Sequence, residues 1–193
     1  MQEGPHRDLM LRAIAREGDA HRAALEADPG AADAYREAAG LYRASWEAAP
    51  PASYGRLVGM LKAAILASDP DDAARYVQGE LAGEAEPSPP AAYALAVAAL
   101  LTGDDASAAR HADEMRAGSP PFGRAADALA ALAGHDGDAY RAALETIVAD
   151  FAARDEHLTG VRIADTAAML EALAAPRGLA AGLVDPVLPP AHV

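Results

Sequence analysis

Runs rich in Ala and Leu, each opened by an acid, a Ser or a Pro and closed near a Gly, recur along the chain, and their large apolar residues fall at helical spacing. Tyr35, Tyr42 and Trp46, for instance, stand at i, i+7 and i+11. Proline fits the first turn of a helix but damages its interior, so DPGAADAYRE, APPASYGRL, SDPDDAARY, SPPAAYALA and SPPFGRAAD mark helix starts. Ser68, Ser88 and Ser119 are the N-cap residues expected there. Gly83, Gly103, Gly118, Gly134 and Gly178 follow runs where C-caps favour glycine. The pattern predicts helices over 6–27, 31–48, 52–67, 70–82, 89–102, 104–117, 120–133, 137–157 and 162–175, with a surface loop at 83–90. Joints this short make neighbouring helices antiparallel.

Two internal echoes refine the picture. GDAHRAALE at 18–26 returns as GDAYRAALE at 137–145, and reads as two similar helix starts. Asp72-Ala73, Asp105-Ala106 and Asp138-Ala139 are each 33 residues apart, the length of one helix-turn-helix unit in tetratricopeptide-like arrays. Asp19-Ala20 lies 53 residues before the first of these, out of phase. The expected fold is therefore all-α: one domain over 1–193, a compact stack of antiparallel helix hairpins, tetratricopeptide-like in its second half. Pro186, Pro189 and Pro190 forbid a final helix, while Leu183, Val184, Val187 and Leu188 are too apolar to hang free. An extended tail over 183–193, laid across the last helices, follows.

Composition narrows the function. Alanine supplies 54 of the 193 residues, which favours helix everywhere and makes a thin core of methyl groups. A net charge of −13 disfavours phosphate backbones and anionic membranes, so neither nucleic acid nor membrane is an expected partner. No cysteine is present, which removes disulfides and thiolate metal sites. The first twenty residues do not read as a signal peptide, and the longest apolar run, Ala91 to Leu101, falls short of the roughly 20 residues that cross a bilayer. A soluble, cytoplasmic chain is expected. Lys62 is its only lysine.

No phosphate loop, GxSxG, HExxH or GxGxxG motif occurs. His6, His21, His111, His135, His157 and His192 are scattered; Glu17 and His21 share a helix face, yet a di-iron bundle needs two Glu-x-x-His pairs. Solvated histidines, no metal, no cofactor and no catalysis are the expectation. Tyr35, Tyr42 and Trp46, with Tyr54 just beyond, form either a core seam or an aromatic groove, packing being favoured. Asp71, Asp72, Asp104, Asp105, Asp136 and Asp138 serve as helix caps, and if stacked units align them they also form an acidic rim for a basic partner.

DAYRAALETIVADFAARDEHLTG, then MLEALAAPRGLA, then a terminal hydrophobic-Asp-x-x-Leu-Pro, is similar to the C-terminal part of the Immunity protein 49 family, helical bacterial proteins proposed to neutralise the toxin of a polymorphic toxin system. The likeness rests on Asp138 to Tyr140, Ala143-Leu144, His157, Leu170 to Leu173, Gly178, Asp185 and Leu188-Pro189, in the last third of the chain. It implies a non-catalytic module that occludes a protein partner, a basic toxin domain; the partner-facing candidates, read from the residues and not from the likeness, are the six aspartates with Tyr35, Tyr42 and Trp46. The alternatives are a tetratricopeptide-like adaptor, its groove offering Arg110, Arg141 and Arg154, and third a small-molecule enzyme or ligand-binding protein with a helical pocket.

Overall fold

A computed structural model describes residues 4–190. Among them are nine α-helices, one 3-10 turn and no strand: α1 (Pro5–Leu25), α2 (Ala31–Glu47), α3 (Gly55–Leu66), α4 (Asp71–Glu80), α5 (Pro89–Leu101), α6 (Asp105–Met115), α7 (Pro120–Ala133), α8 (Gly137–Ala152) and α9 (Asp165–Ala174), the turn being Ala175–Arg177. Prolines occupy the first turn of α1, α5 and α7, as their fixed φ and missing N–H allow. Three boundaries depart from the sequence reading by three residues or more, one being the start of α9 at Asp165 and not at 162. α3 starts only at Gly55, because Ala52 takes φ +65° and breaks the run. α8 stops at Ala152, leaving residues 153–164 as a loop that becomes important below.

The capping expectations hold in part. Ser88 and Ser119 sit at N-cap positions in extended conformation, but neither side chain accepts a cap bond, and Ser68 ends α3 instead of opening α4. The side-chain caps are Asp104 and Asp136, whose Oδ1 atoms accept from the amides of Ser107 and Ala139, each at 3.0 Å. Gly103 and Gly178 adopt the left-handed conformation, whereas Gly83, Gly118 and Gly134 do not. After α1, α3 and α7 that conformation falls to Ala27, Ser68 and His135, at φ 54°, 58° and 54°. Each is followed by an amide that reaches back to the last helical turn: Asp28 to Ala23 O, Asp69 to Ala64 O and Asp136 to Ala131 O, at 2.8, 3.0 and 3.0 Å.

α3, α5, α7 and α9 touch one another in order, and α9 touches α3 again, so these four close an inner circuit. α4, α6 and α8 lie outside it, while α2 packs on α3 and α1 on α2. Side chains explain the division. α5, PPAAYALAVAALL, has no charged residue and buries nine of its 13 residues, whereas α6 buries only Ala108, Ala112 and Met115, a single stripe at helical spacing. Each 33-residue interval thus holds one outer and one inner helix: α4 with α5, α6 with α7, α8 with α9. Small residues let these helices approach closely. At Gly59 a Cβ would stand 2.8 Å from the Tyr42 ring, so only glycine lets α2 and α3 meet as they do.

The tail is extended as expected and partly buried. Val187 and Leu188 are covered, the Val187 carbonyl accepts from Ala164 N at 2.7 Å, and Glu171 receives the amides of Ala181 and Gly182 at 2.9 and 2.7 Å. Val184 is the exception; it is fully exposed, because only alternate residues of an extended segment face the helices. The end of the predicted tail, 191–193, lies outside the described residues. The nonapeptide echo is not a pair of helix starts: it opens α8, but its first copy lies inside α1. The differing letter is buried in both copies. Tyr140 donates to Glu171 Oε1 at 2.8 Å, and His21 Nδ1 lies 3.0 Å from Thr159 Oγ1, so each copy is tied to the C-terminal region. No described helix is long and apolar enough to cross a membrane.

Candidate functional site

Glu17 and His21 sit one turn apart on α1, and because α2 and α3 cover that face both are buried. Opposite them α3 presents Lys62, and the first residue of α9 is Asp165. The Lys62 ammonium is hydrogen-bonded to Asp165 Oδ2 and lies 3.6 Å from Glu17 Oε1; both side chains of the Lys62–Asp165 pair are 13% exposed. The second Glu17 oxygen accepts from the Tyr42 hydroxyl at 2.7 Å. One ammonium thus stands between two carboxylates in the interior.

Burial acts to lower the Lys62 pKa, but the charges of Asp165 and Glu17 outweigh it and hold the ammonium well above its ordinary range. Burial likewise acts to raise the Asp165 carboxyl, and the attraction and hydrogen bond of Lys62 override it, leaving it below the usual carboxylate range. The lysine is therefore a fixed cation, unsuited to nucleophilic attack, which requires the free amine. His21 is shifted down, chiefly by burial, against the pull of Glu17 and Asp165. Burial first, then Glu17, pushes Tyr42 and Tyr35 above the ordinary phenol value, and burial pushes Tyr93 up to about 12, so all three hydroxyls keep their protons.

His21, Tyr42, Lys62, Tyr93 and Asp165 floor a cavity of about 400 Å³, with Glu17 against Lys62 but outside the lining. Met10, Val58, Phe122, Ile147, Phe151 and Ile163 supply apolar wall, and loop 153–164 closes one side. At the more exposed end, Asp150 takes Arg124 at 2.7 Å and Arg154 Nε at 3.1 Å, and the Arg154 guanidinium lies 3.7 Å above the Phe151 ring. Burial opposes ionisation of Asp150, and the two arginines prevail and lower its pKa. Several buried polar atoms find no hydrogen-bond partner among the described residues: Glu17 Oε1, His21 Nε2, Tyr35 OH and Tyr93 OH. An unmet buried group costs about 1–3 kcal/mol, and since His21 and Tyr93 line the cavity, these two favour an incoming polar partner.

Glu17, His21 and Asp165 place ligand atoms within 4.8 Å of one another, close enough in principle to hold a metal ion. The Lys62 ammonium already stands against both carboxylates, however, and a divalent ion beside it would meet strong repulsion. The donor set does not fit a metal while Lys62 is there.

Few residues singled out in the sequence meet at this site. Tyr35 and Tyr42 are buried, the first 2% and the second 1% exposed, so neither can face a partner protein. They pack as a core seam, and Tyr42 carries the Glu17 hydrogen bond. Trp46 is half-buried, stacked on Tyr54 and bonded through Nε1 to Glu80 at 2.8 Å. Asp71, Asp72, Asp104, Asp136 and Asp138 are exposed at or just before the starts of α4, α6 and α8, and none of the six aspartates lines the cavity. Asp105 is half-buried, held by Arg177 and His135 at 2.7 and 2.9 Å. The expectation of solvated histidines fails for His21, 1% exposed, and for half-buried His6, His111 and His157; His135 is exposed, and His192 lies outside the described residues. Lys62, Asp165, Tyr93, Thr159, Arg124 and Asp150 have no place among the site residues expected from the sequence, and Arg154 was expected only in an adaptor groove. One signal was present, since a chain that uses arginine for every other cation places its single lysine here.

No protein-family model matches the sequence, and no match was found among the curated proteins or the solved structures.

Proposed function

We propose that this chain is a small-molecule-binding protein whose ligand occupies the cavity between α1, α3, α7, α8 and loop 153–164. The observation that carries the reading is the combination of shape and chemistry: about 400 Å³ of space with apolar walls and a convergent polar floor around Lys62, Asp165, Tyr93 and His21. Ligand pockets occupy about 300–1,000 Å³ and have this mixture of lining, whereas a packing defect among alanines would be small and apolar. Catalysis is not required, since the fixed Lys62 cation serves recognition. The test is a small-molecule screen by thermal shift on the native chain and on Val58→Trp and Ala125→Phe, which fill the cavity from two walls. Hits should raise the Tm of the native chain and lose that effect in both variants that retain native helicity. A screen whose every hit acts equally on native and filled proteins sinks the reading.

A second reading is favoured by the acids exposed near the starts of three outer helices and by the charge of −13: docking of a basic protein, as the likeness to the Immunity protein 49 family implies. On this reading the 33-residue units form a tetratricopeptide-like stack. Co-expression with the toxin encoded by an adjacent gene tests it; equal killing with and without this chain rejects it.

A further inference from the structure

The cavity's two ends carry opposite excess charge. At the floor, two carboxylates, Asp165 in the lining and Glu17 outside it, stand against one ammonium, Lys62, with His21 neutral, which leaves one negative charge in excess. At the exposed end, Arg124 and Arg154 share one carboxylate, Asp150, which leaves one positive charge in excess. Apolar wall lies between them: Val58, Phe122, Ile147, Phe151 and Ile163. Uncompensated charge near a poorly solvated site is costly, so each end is best met by its opposite.

Resting on the pocket reading above, we propose that the ligand is a small zwitterion, with a cationic end directed to the Asp165 floor, an anionic end held by Arg124 and Arg154, and an apolar body between. The polar groups at both ends suit this orientation. The Tyr93 hydroxyl, 8% exposed, and His21 Nε2, on a side chain 1% exposed, line the cavity without partners, and each can accept from an ammonium N–H. At the other end each guanidinium carries five N–H donors in a fork suited to a carboxylate, and Asp150 engages only part of them. A simple carboxylate leaves the floor unneutralised. A simple amine leaves the arginine pair unmet.

The experiment is isothermal titration of the native protein with 4-aminobutanoate, 6-aminohexanoate and 8-aminooctanoate, against hexanoate and hexylammonium as single-charge controls. At least one ω-amino acid should bind ten-fold or more tightly than either control. Arg124→Gln should narrow its advantage over hexylammonium, and Asp165→Asn its advantage over hexanoate. The comparison among ligands on the native chain stands even if the Asp165 variant fails to fold. Hexanoate or hexylammonium binding as well as the best ω-amino acid overturns the proposal. So does silence from all five probes alongside cavity-dependent hits of other chemistry, an outcome that leaves the pocket reading intact. A screen with no cavity-dependent hit removes both.

Discussion

Replacing Lys62 by Met keeps the length and apolar stem of the side chain but strips the ammonium from between Asp165 and Glu17. Two carboxylates would then face each other across the interior, helped only by the Tyr42 hydroxyl and by local backbone and side-chain donors at Thr166. Removing one partner of a buried ion pair costs about 3–5 kcal/mol, and the 13% exposure of both Lys62 and Asp165 places the pair in that regime. That is a large part of the roughly 5–15 kcal/mol that holds a domain together. For a chain of this size it lowers Tm by about 6–20 °C, at about 2–4 °C per kcal/mol. Urea unfolding followed by helical circular dichroism at pH 7 gives the quantity directly, as a drop in midpoint with unchanged slope. The loss should shrink in acid. The folded Asp165 carboxyl lies below its unfolded value of about 3.9, so the stability it contributes is present above that pH and fades as pH falls through the folded value. The triple variant Lys62→Met, Glu17→Gln, Asp165→Asn should recover most of the loss at pH 7. A Lys62→Met midpoint within about 1 kcal/mol of the native chain, typical of a solvated ion pair, would refute the buried-charge reasoning.

Ser68→Gly should stabilise by about 0.5–1 kcal/mol, because Ser68 holds φ 58°, a conformation costly for a residue with a Cβ, and a lower urea midpoint would contradict this. Gly59→Ala should cost about 1–3 kcal/mol, its new methyl meeting the Tyr42 ring at 2.8–3.0 Å; an unchanged Tm would show that α2 shifts freely. Stability should also fall as pH drops below about 6.5, the unfolded histidine value, because folded His21 has a lowered pKa and unfolding takes up a proton there. The slope reaches at most about 1.4 kcal/mol per pH unit for this one group, and His21→Gln should flatten it, as a pH series of unfolding curves would reveal.

Proline and glycine punctuation located the helices to within a few residues because those constraints act on the local backbone. The inner circuit was less legible, since it depends on which uncharged faces meet across the chain. α5 could be read as buried from its composition, but the return of α9 to α3 could not. The site was harder still. Glu17 and His21 are neighbours on one helix and were visible as a pair, whereas Lys62 and Asp165 are 103 residues apart and meet only when the circuit closes. Histidines were read as solvated because nothing local marks His21 as buried; its cover comes from α2, α3 and loop 153–164, of which the helix pattern had left only 158–161 as a joint. Aromatic spacing on α2 pointed to a packed seam, as observed, and gave no hint that Tyr42 would also serve a carboxylate.

The location of the charge cluster links binding to the architecture. Alanine methyls permit close approach around much of the inner circuit, and where it closes α3 buries Leu57, Met60, Leu61 and Ile65 and α9 buries Met169, Leu170 and Leu173. There the Lys62–Asp165 pair crosses the seam, and Glu17 ties it to α1. On the zwitterion proposal, the ligand would meet this carboxylate-rich seam with its cationic end while its body fills the cavity. Its effect on unfolding should exceed that of an uncharged filler of equal affinity only if it also binds the unfolded chain less, because linkage depends on free ligand and Kd alone. Mass action thus sets the total stabilisation, and the architecture decides where it appears. Hydrogen exchange should show the added protection concentrated in α1, α3, α7, α8 and α9, which line the cavity, and protection centred on the outer helices α4 and α6 would place the ligand elsewhere.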